Sequence, residues 1–180
     1  MGRSAVFLDR DGVINRAIVR NGKPFAPVNF SEVELIDGVG LGLARLRNMG
    51  FLNVVVTNQP DLSTGKQTGL TLGAIHDWMM NTLDLDAIFV CPHLSSHHCG
   101  CRKPKPGLLD QARVQLGIDY GKSFLVGDRW SDVEAGQRAG LRAIFFIDYE
   151  YAEPKPAGDF QTVKSLNEAA EKIMKIMEKI

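Results

Sequence analysis

Val6-Phe7-Leu8-Asp9-Arg10-Asp11-Gly12 is the stretch on which the rest of the chain turns. Three apolar residues come first, then two carboxylates two positions apart, then a glycine. An apolar run without polar alternation suits a parallel strand covered on both faces. Asp9 then stands at the strand's carboxyl end, where open α/β sheets place their ligands. Gly12 lets the backbone turn away and come close to whatever binds there. Alone, the spacing is a weak signal. Asp84-Leu85-Asp86 repeats it with no chemical groups around it, and a polar turn after a strand would look the same.

Further strands are expected at Ala5 to Leu8, Asn53 to Thr57, Ala87 to Val90, Ser123 to Val126 and Arg142 to Ile147. Helices are expected between them: Val39 to Met49, Thr71 (as cap) to Leu83, Pro106 to Leu116, and one opened by a Ser131/Glu134 capping box. A second box, Ser165 with Glu168, opens an amphipathic C-terminal helix with Leu166, Ala169, Ile173, Met177 and Ile180 apolar. Asn15 to Phe30 is polar and long for a plain connection, which suits a lid beside a site. Trp78, Met79, Met80 and His76 on the helix expected from Thr71 to Leu83 are read as core rather than cofactor contacts. Alternating strands and helices predict an α/β fold, a doubly wound, mainly parallel sheet with helices on both faces. The expected organisation is one domain over residues 1–180, with no large cap and a metal-stiffened loop at 91–101 after the third strand.

Lys plus Arg equals Asp plus Glu at 21 each, so net charge exerts no general pull on nucleic acid or an anionic membrane, and phosphate recognition must be local. No apolar run is long enough to cross a bilayer, and the chain enters its first strand too early for a secretory signal, so the expectation is a cytoplasmic protein. All three cysteines fall between Cys91 and Cys101, an odd and clustered set that points to metal rather than disulfides. Cys91, His93, Cys99 and Cys101 make a closed Zn²⁺ set of three thiolates and an imidazole, structural in kind. His97 or His98 could replace His93. The zinc would hold the following Arg102 and Lys103 in place.

Asp9 and Asp11, Thr57 and Asn58, and Asp128 each follow a separate expected strand, and parallel strands would bring these ends to one sheet edge. Phosphoryl transfer needs such a set. Asp9 can attack phosphorus and form an acyl phosphate. Asp11 can protonate the leaving alkoxide and later deprotonate water. Asp9, Asp11 and Asp128 are the expected Mg²⁺ residues, with a backbone carbonyl and waters completing the octahedron. Thr57, Asn58 and backbone N–H groups can hold the phosphoryl oxygens, and Lys103 can pair with both phosphate and Asp9.

Phe7-Leu8-Asp9-Arg10-Asp11-Gly12, Thr57-Asn58-Gln59, Arg102-Lys103-Pro104 and Gly127-Asp128-x-x-x-Asp132 resemble, in order, the four motifs of the haloacid dehalogenase superfamily of phosphatases. The resemblance covers about positions 5 to 147. It implies a doubly wound sheet and an aspartyl-phosphate mechanism, with Asp9 as nucleophile, Asp11 as acid/base, Lys103 as the motif lysine and Asp128 as metal ligand. Asp132 is either a supporting carboxylate or favourable charge at a helix start. The cysteine cluster is similar to that of one capless branch, the phosphatases for heptose 1,7-bisphosphate and histidinol phosphate. Pro60-Asp61-Leu62 departs from the branch, where a small residue and glycine are more usual.

Arg102, Lys105 and Arg129 are expected as surplus cations at the mouth, suited to a second phosphate on the substrate, while an acidic or aromatic partner for a cationic amine is not evident there. The expectation is therefore an enzyme of carbohydrate metabolism, supplying a lipopolysaccharide precursor. It would act as a monomer with no nucleic-acid or membrane partner, and remove one phosphate, at C7, from D-glycero-D-manno-heptose 1,7-bisphosphate. Histidinol phosphate is the alternative substrate. A nucleic-acid end phosphatase and a phospho-acceptor module without catalysis are the other classes in view. Asp11 argues against the last, because an acid/base that speeds loss of the aspartyl phosphate spoils a durable signal.

Overall fold

In the computed structural model, which describes residues 2–179, the side chains of the first strand go to two different cores. This strand, β1 (Ala5–Leu8), is buried along its length. Val6 and Leu8 join one apolar cluster, Ala5 and Phe7 the other. Burial on both faces is the physical reason that the sequence there shows no polar alternation. After β1 come a hairpin, β2 (Ile18–Arg20) and β3 (Lys23–Phe25), helix α1 (Val39–Asn48) and β4 (Leu52–Asn58). The short α2 (Asp61–Thr64), α3 (Gly69–Thr82), β5 (Ala87–Cys91) and α4 (Gly107–Leu116) follow. The chain ends with β6 (Phe124–Gly127), α5 (Trp130–Ala139), β7 (Ala143–Ile147), β8 (Gln161–Val163) and α6 (Leu166–Met177).

The sheet runs β5-β4-β1-β6-β7-β8, every pair parallel. One core packs α1, α3 and α6 against Leu8, Val55, Val126 and Phe145; the other packs α4 and α5 against Phe7, Val54, Val56 and Leu125. Each fully buried Leu or Phe in these layers is worth roughly 1.5–3 kcal/mol over an exposed one. The expected doubly wound α/β fold is thus the fold observed, and among the described residues no large cap sits on it.

Several local details differ from expectation for identifiable reasons. β8 escapes a sequence pattern search because it has three residues and buries only Val163. The polar stretch from Asn15 to Phe30, expected as a lid-like segment too long for a plain connection, carries the β2–β3 hairpin, whose strands sequence did not mark. Thr68, not Thr71, caps α3, its Oγ1 accepting from the Thr71 N–H at 3.1 Å. α5 begins before Ser131, so the expected Ser131/Glu134 box does not form. Instead the Asp132 carboxylate accepts the Arg129 N–H at 3.0 Å. Ser165 does cap α6, accepting from the Glu168 N–H at 3.2 Å, while the Glu168 carboxylate reaches past it to the Lys164 N–H at 2.8 Å. Leu166, Ala169 and Ile173 are buried on α6, Met177 is exposed, and Ile180 lies outside the described residues. Among the described residues, no helix is long and apolar enough to cross a membrane.

Candidate active site

β1 lies between β4 and β6, so the chain leaves it to one side and later returns on the other. The crevice at such a switch point, beyond the carboxyl ends of the strands, is where α/β sheets bind ligands. Asp9 directly follows β1, Thr57 and Asn58 end β4, Cys91 ends β5, and Asp128 directly follows β6. Parallel pairing brings them to one edge.

Asp9 is buried, and its Oδ1 accepts the Arg10 backbone N–H at 2.8 Å and lies 2.9 Å from Lys103 Nζ. The buried Lys103 ammonium also sits 2.6 Å from Asp132 Oδ1 and donates to the Val56 carbonyl at 2.7 Å. All three of its donors are thereby used. Burial works against its charge, yet Asp132 and Asp9 outweigh burial and hold the ammonium above the usual lysine range. Asp132 thus pairs with the motif lysine through one oxygen and accepts a backbone N–H at the start of a helix through the other.

Burial first, and then Asp132, push the Asp9 pKa up to about 6, against the pull of Lys103. Burial, followed by Asp9 and Asp132, drives Asp128 well above the ordinary carboxylate value. Neither oxygen of the buried Asp128 carboxylate meets a donor in full hydrogen-bond geometry among the described residues, and the Tyr151 hydroxyl beside it offsets only part of the cost of burial. Carboxylate oxygens of Asp9, Asp128 and Asp132 lie within 4.8 Å of one another. Three buried carboxylates facing one ammonium, with Asp128 in no ion pair among the described residues, fit a hard divalent cation that takes oxygen ligands.

That imbalance has a testable sign. A carboxyl with a raised folded pKa adds its stability below the unfolded value of 3.8, and loses it as pH rises through the folded value. In chelator-treated protein, Asp128→Asn is expected to raise the thermal midpoint at about pH 7.5 and to raise it less at about pH 5. Parallel melts check this, and a lower midpoint at the higher pH would contradict an uncompensated charge at Asp128.

Asp11, expected among the Mg²⁺ residues, is not part of the carboxylate cluster. Its Oδ1 accepts from Arg10 Nη2 at 2.9 Å and Asn15 Nδ2 at 3.0 Å, and its Oδ2 from Gln59 Nε2 at 2.8 Å. Both its carboxylate oxygens are thus engaged within the protein. Gln59 also donates to Thr57 Oγ1 at 2.8 Å, so Thr57 and Gln59 form a buried polar strut behind Asp11. Asn58 makes two bonds to the backbone of Lys103, accepting its N–H at 3.1 Å and donating to its carbonyl at 3.2 Å. Both motif residues are thus engaged within the protein, and Asn58 acts on Lys103 by fixing its loop. Arg10 and Gln59 went unassigned in sequence, and the signal available was their place inside the two strand-end motifs.

A cleft of about 340 Å³ opens over Asp9, Asp11 and Lys103, with Asn58, Arg102 and Arg129 on its walls. The hairpin adds Lys23 and Phe25, and the segment after β4 adds Asp61 and Lys66. Lys23 and Lys66 make no ion pair among the described residues. The surplus cations are therefore not all the expected ones. Lys105 is turned to the His98 and Cys99 carbonyls, at 3.1 and 2.7 Å, and does not line the cleft. Arg102 donates to the His93 carbonyl at 2.9 Å, and Arg129 is paired with Glu153. Glu153, Asp61 and Phe25 also correct the expectation that the mouth lacks acidic and aromatic groups. Sequence could not assign any of these to the site, because they reach it from the hairpin, the α2 turn and the loop after β7.

Cys91, His93, Cys99 and Cys101 converge beside the cleft. Their sulfur atoms lie 3.1–3.7 Å apart, and His93 Nδ1 is 3.3 Å from Cys101 Sγ. A tetrahedral site with Zn–S bonds of about 2.3 Å has edges of roughly 3.8 Å, so the four donors are already gathered slightly inside that tetrahedron and need spread only by a few tenths of an ångström to seat such an ion. His97 Nδ1 instead accepts the Leu94 N–H at 3.3 Å, and neither His97 nor His98 belongs to the cluster.

A family model described as "HAD-hyrolase-like" matches residues 100–169. The D-glycero-beta-D-manno-heptose-1,7-bisphosphate 7-phosphatase of Escherichia coli (strain K12) is 41% identical over 149 residues, covering 76% of this chain and 75% of that protein. The D-glycero-alpha-D-manno-heptose-1,7-bisphosphate 7-phosphatase of Photorhabdus laumondii is 35% identical over 162 residues, covering 83% and 85%. The crystal structure of D,D-heptose 1.7-bisphosphate phosphatase from B. bronchiseptica, complexed with magnesium and phosphate, superposes with a TM-score of 0.83 at 29% identity over 96% of this chain and 99% of that one. The chain belongs to the haloacid dehalogenase superfamily of hydrolases and is a phosphomonoesterase. Within that superfamily, the relatives it matches over most of their length are heptose-bisphosphate 7-phosphatases.

Proposed function

We propose that the protein removes the C7 phosphate from a D-glycero-D-manno-heptose 1,7-bisphosphate and leaves the 1-phosphate, through an aspartyl phosphate on Asp9. The observation that carries this reading is the Asp9 carboxylate held by Lys103 beside a buried Asp128, at the base of a cleft with two lysines in no ion pair among the described residues. The 7-phosphatase relatives support the substrate.

In the first step an Asp9 oxygen attacks phosphorus, the bond from phosphorus to the C7 oxygen breaks, and Asp11 gives that oxygen a proton. In the second, Asp11 takes a proton from water as the water oxygen attacks phosphorus, releasing inorganic phosphate and the free Asp9 carboxylate. Lys103 neutralises Asp9 and the incoming phosphoryl oxygens. Mg²⁺, held by Asp9, Asp128 and the Asp11 carbonyl, would supply charge neutralisation that lets carboxylates and a phosphate dianion share the site. Lys23, Lys66 and Arg102 are the groups proposed to meet the second phosphate. The Zn²⁺ of the cysteine cluster is structural and orders the loop that carries Arg102 and Lys103. The chain acts as one cytoplasmic domain over residues 1–180, as a monomer.

The test is Mg²⁺-dependent kcat/KM on both anomers of the heptose bisphosphate against histidinol phosphate. A preference for histidinol phosphate would overturn the substrate. Gly12 offers a separate check on cation placement. It takes φ +93°, and a Cβ there would run into the Asp128 carboxylate. Gly12→Ala is expected to raise the Mg²⁺ concentration for half-maximal rate by about tenfold or more, since small displacements of catalytic groups cost that much. An unchanged Mg²⁺ titration would show that Asp128 does not hold the cation.

A further inference from the structure

Arg10 is fully buried between the two motif aspartates, and no step above uses its charge. Its Nε and Nη2 both reach Asp11, at 3.1 and 2.9 Å to Oδ1, and Nη2 is 3.1 Å from Oδ2. That fork grips the carboxylate in a set plane, as guanidinium–carboxylate pairs do. The remaining nitrogen, Nη1, points to the opposite side and ends 2.9 Å from His76 Nε2 on α3. His76 was expected to be core filling, yet it is only half-buried and makes this one polar contact through its ring. Burial, and next the Arg10 charge, push its pKa down to about 4. The ring is then neutral near pH 7, and Nε2 offers Arg10 a lone pair.

We propose that His76 is a positioning residue: by accepting from Arg10 Nη1 it fixes the guanidinium, and through it the aim of the Asp11 carboxylate. This rests on the proposed acid/base role of Asp11. Without an acceptor at position 76, Nη1 is left buried without its partner. Arg10 then has reason to swing, and Asp11, gripped by two of its nitrogens, swings with it. Gln59 and Asn15 hold Asp11 from the other side, so the carboxylate is displaced and not lost.

The experiment compares leaving groups. The sugar alkoxide needs a proton as it departs, whereas p-nitrophenolate does not, so a misplaced acid slows the first chemical step only for the sugar phosphate. In His76→Leu, phosphorylation of Asp9 by the heptose bisphosphate, followed by rapid quench, is expected to slow on the order of tenfold or more, with KM within about twofold. The pre-steady-state burst of p-nitrophenolate from p-nitrophenyl phosphate is expected to keep its rate constant within about twofold. His76→Gln, whose Oε1 can accept from Arg10, should restore the sugar-phosphate rate. His76→Met fills the site with a flexible apolar chain and should repeat the Leu result, so a folding defect in one variant does not decide the matter. Equal slowing of both first steps, or no slowing of either, overturns the role of His76. If the wild-type protein fails to cleave the heptose bisphosphate, the function proposed above fails instead.

Discussion

Asp9→Asn is expected to abolish turnover, with kcat lower by about 10⁴-fold or more, because no other carboxylate at the strand edge is placed to take over as nucleophile. Asp128 and Asp132 are the near neighbours, and neither lines the cleft as Asp9 does. The fold should survive. The substitution keeps the volume, preserves an acceptor for the Arg10 N–H, and removes one of three crowded buried carboxylates. In metal-free protein it should leave the thermal midpoint level or higher at neutral pH, since the Asp9 pKa is raised to about 6 and its charge is unfavourable there. Acid-quenched wild-type enzyme should carry one phosphoryl group that the variant lacks, read by intact mass. A variant with near wild-type kcat, purified away from contaminating phosphatase, would remove Asp9 from the nucleophile's place.

Loss of the Zn²⁺ proposed for the cysteine cluster is the second large effect expected, and it should fall on stability before chemistry. Cys91 is fully buried and Cys99 and Cys101 partly so, in a loop from β5 to α4 with little apolar surface of its own. Structural zinc supplies apparent binding energies of about 10–16 kcal/mol, so even a partial loss is large beside the stability of a domain. Cys91→Ser is expected to lower the thermal midpoint on the order of 10 °C and to lower kcat as the Lys103 loop loosens. His97→Ala and His98→Ala should change neither. Elemental analysis of protein purified without added metal should find close to one zinc per chain, lost in Cys91→Ser. Metal-free wild-type protein with three independently reactive thiols would sink the assignment.

Much of the site is readable along the chain because the chemistry sits next to strand signals. An apolar run followed by Asp9-x-Asp11, a β-branched run ending on Thr57-Asn58, and Gly127-Asp128 after a third run each combine a strand with a polar terminus. Spacing alone also singles out Cys91, His93, Cys99 and Cys101, since four ligands within eleven residues need no distant contact to meet. Side-chain aim is different. Nothing local says that Asn58 turns to the Lys103 backbone, that Lys105 turns to the metal loop, or that Asp11 faces Arg10 and not the carboxylate cluster. Each depends on which unpaired group happens to lie across the sheet edge.

The sequence by itself determined the parallel α/β order, the strand ends that carry carboxylates, the clustered Cys91, His93, Cys99 and Cys101 and the motif lysine, because these follow from periodicity and short-range spacing. Only the tertiary structure decided what closes the cleft and what the cations are for. Lys23 and Phe25 arrive on a hairpin, Glu153 on the loop after β7, and His76 from a helix packed under Arg10. The physical reason is that a buried donor or charge must find a partner. The fold selects that partner from segments far apart in sequence, by proximity that no local pattern records.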